Sequence, residues 1–149
     1  MIKELNLKDR DIVKQILCIQ VPAYQVEAEL IEFDGIPQLK DTIETIQQSG
    51  ETFYGLFEDH ALMGFVAVEN LDDTLNICRL VVDPAHFRKG AATKLLTFIL
   101  SKAKKPVTVS TGSKNIPAIT LYKKHKFRIC SEVEVAPGVF ITQMFNPFP

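Results

Sequence analysis

The spacing of apolar residues divides the chain into two textures, helical first and strand-rich after. From Asp9 to Gln20, Ile12, Ile16 and Ile19 fall on one face with Val13 and Leu17 beside them. That is the period of an amphipathic helix, with Asp9 or Asp11 favourable at its start. Ile2 and Leu5 ahead of it suit a short opening strand. Val21 to Pro37 does not settle into one regular element; it is read as holding a second short helix around Gln25 to Phe33, broken at Asp34-Gly35. Pro37 then enters the first turn of a further helix, with Leu39, Ile43 and Ile46 on one face and Ser49-Gly50 at its end. Glycine suits that end because it accepts the left-handed conformation.

The second texture begins at Thr52. Thr52 to Phe57 and Leu62 to Glu69 read as strands joined through Glu58-Asp59-His60-Ala61, and Thr74 to Val82 as a third that Asp83-Pro84 stops. Lys89 to Ala103 predicts a helix with Ala91, Leu95, Phe98 and Ile99 on one face. Pro106 to Thr111 is a short strand, and Ile116 to Lys124 a short helix with Pro117 in its first turn, where proline costs little. Phe127 to Val135 and Val139 to Phe145 close the chain as a hairpin around Ala136-Pro137-Gly138. The order β-α-α-β-β-β-α-β-α-β-β, without repeat or linker, predicts one α/β domain over residues 1–149 with strands of mixed direction.

Composition narrows the partners. A net charge of −1 gives no bulk attraction to nucleic acid or membrane, so an anionic ligand must be met by a local cluster. The opening MIKELNLKDR has no apolar signal core, and no apolar run approaches membrane-span length. Cys18, Cys78 and Cys130 have no metal or redox spacing and read as reduced, mostly buried thiols of a cytoplasmic protein. His60, His86 and His125 are equally scattered, so no metal site is expected.

Two segments carry candidate chemistry. In the first, an apolar strand ends at Val82-Asp83-Pro84 and a helix starts just after Arg88-Lys89-Gly90-Ala91-Ala92. A helix N-terminus exposes unpaired N–H groups and partial positive charge, and small residues leave phosphate an open approach. The bland alternative is a glycine turn beside a solvated basic pair. Neither a Walker loop nor a dinucleotide fingerprint occurs in the chain. In the second segment, Asn115 stands at a helix-cap position, and Ala118 and Tyr122 share a face of the helix that follows. Tyr122 reads either as a hydroxyl presented to a ligand or as a ring packed in the core.

Together the segments resemble the GNAT superfamily of N-acetyltransferases. Its acyl-CoA motif, Gln/Arg-x-x-Gly-x-Gly/Ala after a strand ending Val-x-Pro, falls on Phe87 to Ala92, and its later Asn-x-x-Ala-x-x-x-Tyr signature on Asn115, Ala118 and Tyr122. Phe87 replaces the usual glutamine or arginine, with Arg88 beside it as a substitute, and Lys126 replaces a turn glycine before Phe127.

The resemblance implies a mixed, mostly antiparallel sheet with splayed middle strands, flanked by about four helices. It implies acetyl-CoA as co-substrate, without a metal. Leu80, Val82, Arg88, Lys89, Gly90, Ala91, Ala92, Thr93, Asn115 and Ala118 would line its site. Tyr122 would act as general acid or bind the sulfur, while an amine acceptor attacks the thioester directly. The strand Thr74 to Val82 carries no carboxylate, which leaves Glu69, one strand earlier, as the candidate base, with Glu27, Glu29 and Glu32 as other acids. Tyr24, Glu27 and Glu32 would meet the acceptor, a small-molecule or peptide amine, in a monomer or homodimer. The alternative is a GNAT-like domain that binds acyl-CoA as a sensor or has lost catalysis.

Overall fold

A computed structural model describes residues 1–147; Phe148 and Pro149, the end of the expected domain, lie outside the described residues. Among the described residues seven strands form one sheet in the order β1-β2-β3-β4-β5-β7-β6. They are β1 (Ile2–Glu4), β2 (Thr52–Glu58), β3 (Ala61–Asn70), β4 (Leu75–Val82), β5 (Val107–Gly112), β6 (Arg128–Ala136) and β7 (Val139–Asn146). Every pairing is antiparallel except β4 with β5. Four helices accompany the sheet: α1 (Arg10–Ile31), α2 (Ile43–Gln47), α3 (Ala91–Lys102) and α4 (Ile116–Lys124).

β3 shows why the sheet is covered on both faces. Leu62 through Val68 are all buried, the continuous apolar run of a strand enclosed from two sides. Val66 and Val68 join Leu95, Leu96 and Ile99 of α3 in one core. Phe65 and Ala67 join Val13, Ile16 and Ile19 of α1 in the other.

The first texture of the chain differs from its reading in two places. Val21 to Pro37 does not hold a separate helix around Gln25 to Phe33, because α1 runs unbroken to Ile31 with Pro22 inside it. Proline removes the bond to the carbonyl of Cys18, a residue on the exposed side of the helix. The helix persists because a single stripe, Val13, Ile16, Gln20, Tyr24, Glu27 and Ile31, repeats at intervals of three and four along it. The second difference is the helix expected from Pro37 to Ser49. It is a 3-10 turn over Pro37–Lys40 and then α2, separated by Asp41 in extended conformation. Thr42 starts α2 afresh through a capping box with Thr45.

Asp41 leaves the helical path to meet Arg79. The Arg79 Nη1 lies 2.6 Å from Asp41 Oδ2 and 2.9 Å from Gln20 Oε1, and its Nε and Nη2 lie 2.9 and 3.2 Å from the Glu51 carboxylate. Burial alone would lower the Arg79 pKa, but hydrogen bonds and charge from Glu51 and Asp41 outweigh it and hold it raised. The side chain reaches this face through a register shift. Ala67 pairs with Arg79 and Val68 with Ile77, so Cys78 is an extra residue on β4. Such a bulge resets the alternation. Ile77 therefore packs with α3, while Arg79 and Val81 turn toward α1.

The cysteines also depart from the expected burial. All three are free, but Cys18 and Cys130 are exposed and Cys78 is half-buried. Among the described residues no helix is long and apolar enough to cross a membrane.

Removing Arg79 while leaving Asp41 and Glu51 in place strands two poorly hydrated carboxylates. Arg79→Met should lower the unfolding free energy by about 3–5 kcal/mol, measured by urea denaturation. A loss near zero would show that the cluster does not brace the fold.

Candidate active site

The site begins where β4 and β5 part. They pair from Leu75 with Val107 to Ile77 with Val109 and no further. Past that point β4 is held only by β3 on its other side, and β5 by β7. The edge of β4 from Cys78 to Val82 that faces β5 has no strand partner. A cavity of about 690 Å³ opens there.

At one end of the cavity lies the start of α3. Asp83 caps a 3-10 turn over Pro84–His86 by accepting a bond from the Ala85 amide at 3.0 Å. Arg88 and Gly90 then take positive φ, 66° and 79°, to swing the chain into the helix. Gly90 caps α3 without any side-chain bond, and a Cβ built on it would meet nothing within 4 Å. The first bond of the helix is Lys94 N–H to the Gly90 carbonyl, so the amides of Ala91, Ala92 and Thr93 are left free at its end. Of the residues expected here, Leu80, Val82, Arg88, Gly90, Ala91, Ala92 and Thr93 line the cavity, while Lys89 does not. His86 was not singled out by the sequence. It lines the cavity too, and its buried Nδ1 has no hydrogen-bond partner among the described residues.

The middle of the cavity is built by α4. Asn115 caps the helix, its Oδ1 accepting from the Ala118 amide at 3.3 Å. Its Nδ2 is thereby turned outward, donating to Glu27 Oε1 at 2.8 Å and Thr111 Oγ1 at 3.3 Å. One turn on, Ala118 and Tyr122 line the same wall. The Tyr122 ring packs on Phe127 with centroids 5.3 Å apart, so the core and the cavity share this residue. Burial first, and then the charge of Glu27, push its hydroxyl pKa well above the ordinary tyrosine range.

At the far end stands α1. Gly112 allows it to close on β5, since a Cβ there would lie 2.8 Å from Ile31 Cγ2. This approach carries Tyr24 and Glu27 into the cavity wall. Burial raises the Glu27 pKa, and the bond from Asn115 offsets part of the rise. Tyr24 is raised by burial and by Glu27 in turn. Glu32 lies outside, caps the end of α1, and pairs with Lys114 at 2.9 Å, which lowers its pKa. Glu29 is exposed and Glu69 pairs across to Asn76 at the closed end of β4; neither lines the cavity. Cys78 does, but burial and the charges of Glu51 and Glu69 push its thiol up to about 11, which keeps it protonated and weakly nucleophilic. Among the described residues no group of three metal-ligating side chains gathers.

The sequence contained a signal for Glu27 that amphipathic counting passes over. Gln20, buried, and Glu27, half-buried, fall on the inward stripe of α1, where an apolar residue is the default. Gln20 serves Arg79, and Glu27 serves the cavity.

Known proteins share the family and the fold of this chain. The model of the acetyltransferase (GNAT) family matches residues 14–127. UPF0157 protein YqkA of Bacillus subtilis (strain 168) is 38% identical over 151 residues, covering 100% of this chain and 44% of that protein. The chain thus spans less than half the length of this curated relative. The ribosomal-protein-S18-alanine N-acetyltransferase of Escherichia coli superposes with a TM-score of 0.78 at 16% identity, covering 99% of this chain and 93% of that one. A putative acetyltransferase of Salmonella typhimurium, yncA, solved with acetyl-CoA, superposes with a TM-score of 0.71 at 18% identity, over 100% and 94%. At such identities the structural likeness is one of fold.

Because the folded state raises the Glu27 pKa, it binds the proton more tightly than the unfolded chain does. Stability contributed at low pH is then lost as pH rises through the interval between the ordinary and the raised value. Glu27→Gln keeps an oxygen for Asn115 and removes the charge. Melting temperatures of parent and variant should converge in acid, with the variant the more stable above that interval. A variant that matches the parent in acid but is less stable above that interval would show that the charge itself holds the fold.

Proposed function

The chain belongs to the acetyltransferase (GNAT) family, and we propose that it transfers the acetyl group of acetyl-coenzyme A directly to an amine held in the same cavity. One observation carries the reading. A single cavity connects the free amides at the start of α3, the unpaired edge of β4, the Tyr122 wall and the Glu27 wall.

The residues present fit acetyl-CoA. The amides of Ala91 to Thr93, with Arg88 beside them and no side chain over Gly90, suit a pyrophosphate. The unpaired edge at Leu80 and Val82 suits a pantetheine arm laid along it like an added strand. Asn115 and Ala118 would border that arm, and the unpartnered His86 Nδ1 adds a polar group that the family motif does not include. When bound, acetyl-CoA supplies an activated acyl group and a thiol leaving group.

Tyr122 is assigned to that leaving group. Its raised pKa keeps the hydroxyl protonated at any physiological pH. The same rise makes it a weak acid, so it serves by hydrogen-bonding the developing thiolate more than by full proton transfer. Tyr24 and Glu27 in the cavity wall support an acceptor bound on the α1 side, away from the α3 end. Holding both reactants in one cavity supplies proximity, the term that direct attack depends on. Glu32, tied to Lys114 outside, would act at most at the rim.

Two variants test the two ends. Gly90→Ala and Gly90→Glu share the cost of a positive φ, but only the second brings negative charge to the amides. Acetyl-CoA affinity by calorimetry should fall at least about tenfold further in Gly90→Glu than in Gly90→Ala. Equal affinity in folded proteins would displace the cofactor from α3. Tyr122→Phe should leave acetyl-CoA affinity unchanged and lower kcat by up to about 10²-fold where chemistry limits turnover. Unchanged kcat there would return Tyr122 to packing alone.

A further inference from the structure

The charge pattern of the cavity narrows what can occupy its α1 end. Among the described lining residues Glu27 is the one carboxylate. Arg79 also lines the cavity, but its guanidinium Nε, Nη1 and Nη2 are all engaged by Glu51, Asp41 and Gln20. Beside Glu27 stand Asn115, Tyr24 and Tyr122, and apolar side chains make up much of the remaining wall. Ile31, Phe33, Ile36 and Pro37 come from α1 and the segment after it, and Val139 and Phe140 from the hairpin opposite.

We propose that this end of the cavity binds a small primary amine bearing one positive charge on an otherwise apolar carbon body, with the ammonium on Glu27 and the body between Phe33 and Phe140. This assignment rests on the acetyl-transfer reading and deepens it by naming the acceptor class. A polyamine or an aminoglycoside would bring further charges into a space that has no second acid for them. Each would be desolvated against hydrocarbon without a partner. An apolar body instead gains from leaving water. The Tyr24 ring beside Glu27 adds a cation–π surface for the single ammonium.

Asn115 makes the assignment geometrically sharp. Its Nδ2 holds Glu27 Oε1 at 2.8 Å, while its Oδ1 caps the helix that carries Tyr122. The ammonium site is therefore fixed relative to the Tyr122 wall through one side chain. The second carboxylate oxygen of Glu27 is left for the amine, since Asn115 engages only Oε1. The groups facing Glu27 are Asn115 and Tyr122 from α4 and Tyr24 from its own helix, with Arg79 and Glu51 acting on Tyr24 behind it. None is a free cation. Burial favours the protonated carboxyl, so Glu27 can take one proton from the bound ammonium, leaving the nitrogen lone pair free for attack.

The test is calorimetric titration of the full chain, with and without coenzyme A, using phenethylamine, hexylamine, spermidine and kanamycin at constant ionic strength. The two monoamines should bind at least about tenfold tighter than the polycations, and Glu27→Gln should lose at least about tenfold for the monoamines. Phe140→Ser, a change at a half-exposed position, should weaken hexylamine without affecting coenzyme A. Equal or tighter binding of spermidine or kanamycin, no binding of any amine, or a Glu27→Gln variant that binds like the parent would each overturn the assignment. Acetyl-CoA-dependent thiol release, read in parallel, separates the two levels. Monoamine binding without release removes the transfer reading and leaves this one, whereas release with polycations alone does the reverse.

Discussion

Strands β4 and β5 pair over three residues and then separate, and the cavity depends on that separation. A gap between neighbouring strands leaves backbone N–H and C=O groups without partners, which ordinarily costs too much to persist. Here each strand is secured from its other side, β4 by β3 and β5 by β7 as far as Gly112. The unpaired edge faces a cavity open to water, so its polar groups are not buried dry. The result is a rigid-walled slot, with α3 at one end and α1 at the other.

The bulge at Cys78 and the Arg79 cluster hold β4 on its path. One extra residue turns Arg79 to the α1 face, where it joins Gln20, Asp41 and Glu51 from three separate segments. Ion pairs of this kind stabilise little relative to an apolar packing of the same volume, but they specify position. This one fixes the start of α2, the segment before it and β4 relative to each other. Of these, β4 and the segment before α2, together with α1, line the slot.

Two partly buried carboxylate sites thus behave in opposite ways. Asp41 and Glu51 have a full counter-charge in Arg79. Glu27 has only the neutral amide of Asn115, and burial raises its pKa. A group left short of partners inside a cavity costs stability, and perturbed groups of this kind gather at sites of binding and chemistry. In the proposed reading an ammonium supplies what Glu27 lacks.

Much of this was legible along the chain. The alternating and continuous apolar runs from Thr52 onward gave strands and helices within a residue or two, because each is set by a local period. The Gly90 turn and the Asn115 cap were legible for the same reason, since their roles are fulfilled by residues next to them in sequence. The helix through Pro22 and the break at Asp41 were not. The first depends on a stripe that packs against β3, β4 and β5, and the second on an arginine 38 residues away. Which carboxylate enters the cavity was likewise beyond local reading. Of Glu69, Glu29, Glu32 and Glu27, Glu27 falls on the α1 stripe, but it is the closure of α1 on Gly112 and the 88-residue reach to Asn115 that bring it to the cavity. The sequence by itself determined the elements and the two local motifs, because backbone period and capping act over a few residues. The tertiary structure decided the slot, its one carboxylate and the direction of β4, because those rest on contacts between segments that the chain keeps far apart.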